Sequence, residues 1–201
     1  LIPCAHGGSP IDSWQPGVFY APTKGHPWDD AMRRAKAAME KGMLKAILWH
    51  QGEADANVKL AAAYQAKLDD LVARFRKELS AEDVPFIVGQ IGKFADVPWT
   101  EYQTMIDAAH RGLPERVQNA AYVSADGLKH KGDKVHFDAA SYRELGRRYF
   151  AEYQKLAGAK SQAAPDAANE AKLAAPAKPN ESAKPKLKIT PGQVIVPTDA
   201  M

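Results

Sequence analysis

Asp133 and His136 stand three residues apart in the run GDKVHFDAASYRELGRRY, just ahead of a stretch with helical periodicity. At that spacing a carboxylate can accept from one imidazole nitrogen and leave the other facing a substrate. That is the arrangement a general base needs, because the acid fixes the tautomer and stabilises the imidazolium that forms. The bland alternative is a surface loop closed by a local hydrogen bond, since D-x-x-H is a frequent tetrapeptide. Asp138 suits the N-cap of the helix that follows. A second polar knot, His50, Gln51 and Glu53 around Gly52, ends the apolar run in AILWHQGEAD. In an open α/β sheet, residues just beyond the carboxyl end of a strand face the ligand and need no buried partner. His50 there either touches substrate or is a satisfied structural residue. His50, Glu53 and His136 lack a short-range ligand spacing such as H-E-x-x-H, so neither a metal nor another cofactor is called for.

The elements that must position these groups are legible as alternating apolar runs and helical stripes. Leu1 to Ala5 reads as a strand end, followed by the loop His6-Gly7-Gly8-Ser9-Pro10. Asp29 to Lys41 reads as a helix capped by Asp29 and closed by Gly42, and Leu44 to Trp49 as the next strand. Asn57 to Leu79 is a long amphipathic helix, with Leu60, Tyr64, Leu68, Leu71, Val72 and Phe75 at three- and four-residue spacing. Val84 to Ile91 is a strand, Trp99 to Arg111 a helix, Ala120 to Ser124 a short strand, and Ala139 to Leu156 a closing helix. This rhythm predicts an α/β fold, a three-layer sandwich around a parallel sheet with right-handed crossovers.

Composition bounds the rest. A chain of 201 residues with 45% hydrophobic content suits one domain, residues 1–157, plus a tail. From Gly158 onward there are six Lys, no Arg and four acidic residues, in a context dominated by Ala, Lys, Pro, Ser, Asn and Glu. Such a segment cannot bury enough apolar surface to offset chain entropy, so 158–201 is expected to be a flexible, disordered tail. Its short apolar run, Val194 to Val196, is a docking strand or a sticky end. The net charge of +3 leaves no nucleic-acid footprint. A single cysteine, Cys4, excludes an intramolecular disulfide and a multi-Cys zinc site. No apolar run approaches the roughly 18 residues that cross a bilayer.

Taken in order, the Gly-Gly-Ser loop, the HQGE knot and the D-x-x-H-F run resemble the SGNH hydrolase superfamily. The nearest branch is that of sialate O-acetylesterases and carbohydrate esterase family six acetylxylan esterases. IPCAHGGSPIDSWQPG is similar to that branch's second block, WHQGEAD to its third and DKVHFD to its last, so the likeness runs over roughly residues 1 to 157. It implies a flavodoxin-like sheet and a serine hydrolase that removes acetyl groups from sugars or polysaccharides. His136 and Asp133 would then be two members of a triad. The Gly8 amide and the Gln51 side chain would donate to the oxyanion, and Glu53 would order the loop or orient a catalytic group. Trp14, Trp28 and Trp99 either stack on sugar faces or pack in the core and rim.

The family's nucleophilic Ser lies in a Gly-Gln-Ser-Asn type block at the end of the first strand, and this sequence has no such block. Ser9, between two glycines and Pro10, suits a turn, and Ser141 suits a helix cap; neither has a nucleophile elbow around it. The expectation is therefore an N-terminally truncated esterase whose first strand and nucleophile precede Leu1, inactive in this form. Polymer-degrading relatives and the linker-like tail suggest a secreted or periplasmic protein, with the cytoplasm as the alternative. Two rivals stand beside the acetylesterase: a noncatalytic carbohydrate-binding or scaffold protein, and a lipase- or thioesterase-like hydrolase on the same fold.

Overall fold

The computed structural model describes residues 1–163, with side chains as far as residue 158. Three short parallel strands, β1 (Ile47–Trp49), β2 (Phe86–Gly89) and β3 (Ala120–Val123), form one sheet in the order β1-β2-β3. Ile47 lies opposite Phe86, and Phe86 opposite Ala120. Parallel neighbours require crossover connections. These are supplied by α2 (Ala61–Leu79) between β1 and β2, and by α3 (Glu101–Arg111) with the short α4 (Leu113–Arg116) between β2 and β3. Helix α1 (Pro27–Met39) precedes β1, and α5 (Ala139–Ala163) follows β3.

The alternation of side chains along β2 explains the layering. Phe86 and Val88 join a core with Met32 of α1, Leu68 and Leu71 of α2, and Ile106 of α3. Ile87 points the other way, into a core with Leu145 and Tyr149 of α5. All three strand residues are 0% exposed, so β2 reads as a continuous apolar run because both its faces are covered. Helix α5 packs on β3 and β2. Leu48 of β1 consequently stays 48% exposed on that side of the sheet.

Local chemistry moves several boundaries. Helix α1 begins at Pro27, whose fixed φ and missing N–H suit the first helical position. Asp29 is not its cap: it sits in the first turn and accepts from the Gly17 N–H at 3.0 Å. Helix α2 starts at Ala61 because Asn57 competes, its Oδ1 accepting from the Lys59 N–H at 3.0 Å in a local turn. Helix α3 opens on a capping box between Thr100 and Gln103. Leu1 to Ala5 forms no strand; Leu1 and Ile2 are exposed and pair with nothing in the sheet. Helix α5 runs to Ala163, past the boundary expected at residue 158, over an Ala-rich stretch of high helix propensity. The remainder of the expected tail and the Val194–Val196 run lie outside the described residues.

Candidate active site

The Asp133–His136 pair forms in the loop between β3 and α5. His136 Nδ1 is 2.7 Å from Asp133 Oδ2, while Asp133 Oδ1 accepts from the backbone N–H of His136 at 2.8 Å and of Val135 at 3.0 Å. Lys131 Nζ lies 3.3 Å from Asp133 Oδ2. The His136 backbone and side-chain hydrogen bonds, with smaller help from Val135 and Lys131, hold the Asp133 carboxyl well below the usual carboxylate range. An ionised acid on Nδ1 makes that nitrogen the donor and leaves Nε2 as the lone-pair site, on a side chain 57% exposed.

Neighbouring groups close the loop. Lys131 N–H donates to the His136 carbonyl at 2.9 Å, and His130 and Phe137 form an antiparallel bridge. Gly132 (φ 114°) and Lys134 (φ 63°) take the left-handed conformations that the tight turn requires. His130 Nδ1 accepts from the Gly132 N–H at 2.9 Å, which leaves its Nε2–H to donate to Asp96 at 3.0 Å. His130 and Asp96 thus support the loop, a role that sequence spacing did not single out, because they lie 34 residues apart. Asp138 accepts from the Ser141 N–H at 2.7 Å, as a cap should.

The loop 6–10 and the HQGE knot meet through Gln51. Ser9 is buried; its Oγ donates to the His6 carbonyl at 2.8 Å and accepts from Trp14 Nε1 at 2.9 Å. Tyr20 Oη donates to the Gly8 carbonyl at 2.7 Å. Gly8 itself has φ 69°, and its N–H takes part in no hydrogen bond among the described residues. Gln51 Nε2 donates to the Ser9 carbonyl at 3.0 Å and to Asp55 Oδ2, while Gln51 Oε1 accepts from Tyr64 Oη at 3.0 Å. Both hydrogens of the Gln51 amide are therefore committed to protein acceptors. In this geometry the side chain expected to be a direct oxyanion donor offers a substrate no N–H.

Asp55 takes the structural role expected of Glu53. It is 0% exposed, and its Oδ2 accepts from Gln51 and from the Ile11 N–H at 2.9 Å, while burial pushes its carboxyl up. Glu53 instead faces His50, with Oε1 at 3.8 Å from His50 Nε2. The His50 ring packs edge-on against Phe137, centroids 5.8 Å apart, so the end of β1 touches the loop that carries His136. Desolvation pulls the His50 pKa down, and Glu53 acts in the opposite direction.

Trp14 is not available to a sugar: it is buried and packs edge-on against Trp49 at 4.9 Å. Trp28 is buried as well, with the Arg74 guanidinium 4.7 Å from its ring centroid. Trp99 alone of the three fronts a surface groove, of about 680 Å³, together with Lys93, Phe94, Asp126, Leu128 and His130. The groove runs beside the Asp133–His136 loop, since His130, which lines it, accepts from the Gly132 N–H of that loop at 2.9 Å.

Residues 1–155 match the family model described as carbohydrate esterase, sialic acid-specific acetylesterase. A probable carbohydrate esterase from Arabidopsis thaliana is 29% identical over 148 residues, which cover 73% of this chain and 52% of the relative. The chain thus spans about half the length of the curated relative it matches. A crystal structure of an Arabidopsis thaliana protein superposes with a TM-score of 0.65 at 28% identity, covering 76% of this chain and 59% of the other. A carbohydrate acetylesterase from Xanthomonas citri shares the fold, with a TM-score of 0.60 at 17% identity over 76% of this chain and 36% of its own. With the family's blocks in order and its two cores built around one parallel sheet, the chain belongs to the carbohydrate esterase family of sialic acid-specific acetylesterases.

Proposed function

We propose that this chain supplies the base and part of the oxyanion hole of a serine-dependent carbohydrate O-acetylesterase. The observation that carries the proposal is the 2.7 Å contact between His136 Nδ1 and an ionised Asp133, which leaves Nε2 uncommitted on an exposed ring. Lys131 at 3.3 Å and two backbone donors keep that carboxylate charged, so it can stabilise an imidazolium without taking the proton itself.

The chemistry is acyl transfer in two halves. A serine hydroxyl gives its proton to His136 Nε2 as its oxygen attacks the acetyl carbonyl, and the carbonyl electrons move onto oxygen to form a tetrahedral oxyanion. The Gly8 N–H is free to donate to that oxygen. Collapse breaks the bond to the sugar oxygen, which leaves with the proton from His136 Nε2. Water then repeats the sequence on the acetyl-serine, releasing acetate and restoring the serine. On this reading the serine belongs to residues outside this sequence: Ser9 Oγ bridges His6 and Trp14, Ser13 Oγ donates to the Pro10 carbonyl at 2.7 Å, Ser124 Oγ accepts from the Asp126 N–H at 3.0 Å and donates to Gln90 Oε1 at 3.3 Å, and Ser141 Oγ accepts from the Lys129 N–H at 2.8 Å. The open edge of β1, with Leu48 exposed beside it, suits a further strand that would bring such a serine to the carboxyl end of the sheet.

The substrate class follows the family: an acetylated carbohydrate, with the Trp99 groove beside the catalytic loop as a place for the sugar. Release of acetate from acetylated xylan, O-acetyl sialate and a longer acyl ester, measured on the protein extended to include a strand carrying the nucleophile, tests it. Acetyl-selective turnover that requires His136 is expected. Preference for the long acyl ester would favour the lipase-like alternative, and saccharide binding without turnover would favour a noncatalytic protein.

A further inference from the structure

Behind Gln51 lies a chain of buried polar groups that the reaction scheme does not use. Tyr64 and His110 are both 0% exposed. Tyr64 Oη stands 2.9 Å from His110 Nε2, 3.0 Å from Gln51 Oε1 and 3.2 Å from the Gln51 carbonyl. The Gln51 oxygens can only accept, so the single Tyr64 hydrogen goes to them and His110 Nε2 must carry a hydrogen toward Tyr64. His110 Nδ1, buried without a partner, is then a bare lone pair, which costs less than a buried N–H with no acceptor. Burial lowers the His110 pKa to about 3, so the ring stays neutral near pH 7.

The polarity of this chain determines which way the Gln51 amide faces. A hydroxyl donor meets its oxygen, and two acceptors, the Ser9 carbonyl and the Asp55 carboxylate, meet its nitrogen. A flipped amide would set an oxygen against a carboxylate and a carbonyl. The Ser9 carbonyl so held belongs to the loop whose preceding residue, Gly8, is pinned through its own carbonyl by Tyr20, and Trp14 pins the Ser9 hydroxyl. The Ser9 N–H also bonds the His6 carbonyl at 3.3 Å, whereas the Gly8 N–H takes part in no hydrogen bond among the described residues.

We propose that Gln51 is a positioning residue, not a direct donor: it clamps the Ser9 carbonyl and so presets the Gly8 N–H, while Tyr64 and His110 fix the orientation of its amide. The role given to the Gly8 N–H rests on the esterase reading above; the clamp does not. Preorganised donors act without reorganising during the reaction, which is where such positioning enters the rate.

The ¹⁵N-labelled 201-residue chain tests this by NMR without turnover. Tyr64→Phe and His110→Leu are expected to shift the Gln51 side-chain amide pair together with the Gly8 and Ser9 backbone amides. The Gly8 order parameter should fall from about 0.85 toward 0.6, while the amides of β2 and β3 stay in place. His110→Gln, which keeps an N–H donor close to the position of Nε2, should restore all of these signals. The clamp is overturned if Gly8 and Ser9 remain unmoved while the Gln51 pair shifts, or if His110→Gln behaves like His110→Leu. Should both buried variants fail to fold, Gln51→Ala decides: loss of order at Gly8 and Ser9 is expected, and an unchanged loop overturns the proposal. Absence of acetylesterase activity in the extended protein would remove the role given to the Gly8 N–H and leave these resonances as they are.

Discussion

Tyr149 Oη donates to the Trp49 carbonyl at 2.7 Å, a buried hydrogen bond between residues 100 positions apart. It ties α5, the helix behind the Asp133–His136 loop, to the last residue of β1, which His50 and Gln51 follow. The same phenol fills the space above β2: a Cβ on Gly89 would fall 2.0 Å from Tyr149 Oη and 2.8 Å from His50 Nδ1. Gly89 is therefore required by close approach, at an ordinary strand conformation.

From that contact, Gly89→Ala should destabilise the fold by about 1–3 kcal/mol through overpacking. Tyr149→Phe should cost about 1–2 kcal/mol by removing this buried hydrogen bond. The double variant should be less destabilised than the sum, because removing the hydroxyl relieves the tightest of three contacts and leaves Tyr149 Cζ at 2.7 Å and His50 Nδ1 at 2.8 Å. Urea denaturation of the three variants checks this, and strict additivity would contradict the shared-space explanation.

Gly52 carries a second steric prediction. Its φ is 142°, and a Cβ there would fall 2.6 Å from Ile106 Cγ2 and 3.3 Å from Ile91 Cγ2. Gly52→Ala combines backbone strain with overpacking, so a loss of at least about 2 kcal/mol is expected, with the Gln51 clamp disturbed as well. A melting temperature within about 2 °C of the parent would refute it.

The buried His110 sets a pH dependence. The His110 pKa is about 3 in the fold, below the ordinary value near 6.5 that the unfolded chain retains, so between these values the unfolded state binds more protons. Stability is therefore full above about pH 6.5 and is lost as pH falls toward 3. His50, also lowered, adds in the same sense, while Asp55, whose carboxyl is raised, opposes it at the acid end. The depressed carboxylates Asp133, Asp96 and Asp138 add to this loss only below about pH 4, where the unfolded chain begins to protonate them. Unfolding free energies at pH 7 and 5 should differ by an amount on the order of 1 kcal/mol or more, and His110→Gln should flatten that difference. An unchanged slope in the variant would show that His110 is not the titrating group.

The Asp133–His136 pair and the helical stripes were legible in the sequence because both are set by short spacing: three residues for an acid beside its imidazole, three and four for an apolar face. Tyr64 was placed correctly in the core by its stripe, yet its hydroxyl is what matters at the site, and ring spacing says nothing about a hydroxyl's partner. Asp55 sits in the same run as Gln51, yet spacing gives no sign of its role, because its partner Ile11 lies 44 residues away. Trp14 was a candidate sugar platform by residue type alone, and only packing against Trp49 shows why it is core. Leu1 to Ala5 had the composition of a strand, but a strand exists only where a neighbour pairs with it.

Asp133 separates catalysis from stability. Its carboxyl is 36% exposed, so Asp133→Asn should leave the melting temperature within about 2 °C of the parent. In the extended protein the same change should lower kcat roughly 10⁴-fold by losing the imidazolium's partner and the tautomer control. A large loss of stability with little loss of rate would recast the pair as a structural loop closure.

The most direct measurement is acetate release from an acetylated sugar by the extended protein carrying the nucleophile, wild type against His136→Ala at equal folded concentration. With His136 Nε2 as the base, kcat should fall by at least about 10⁴-fold with the fold intact. Equal rates in the two proteins would contradict the assignment of His136, and with it the catalytic role of this half of the site.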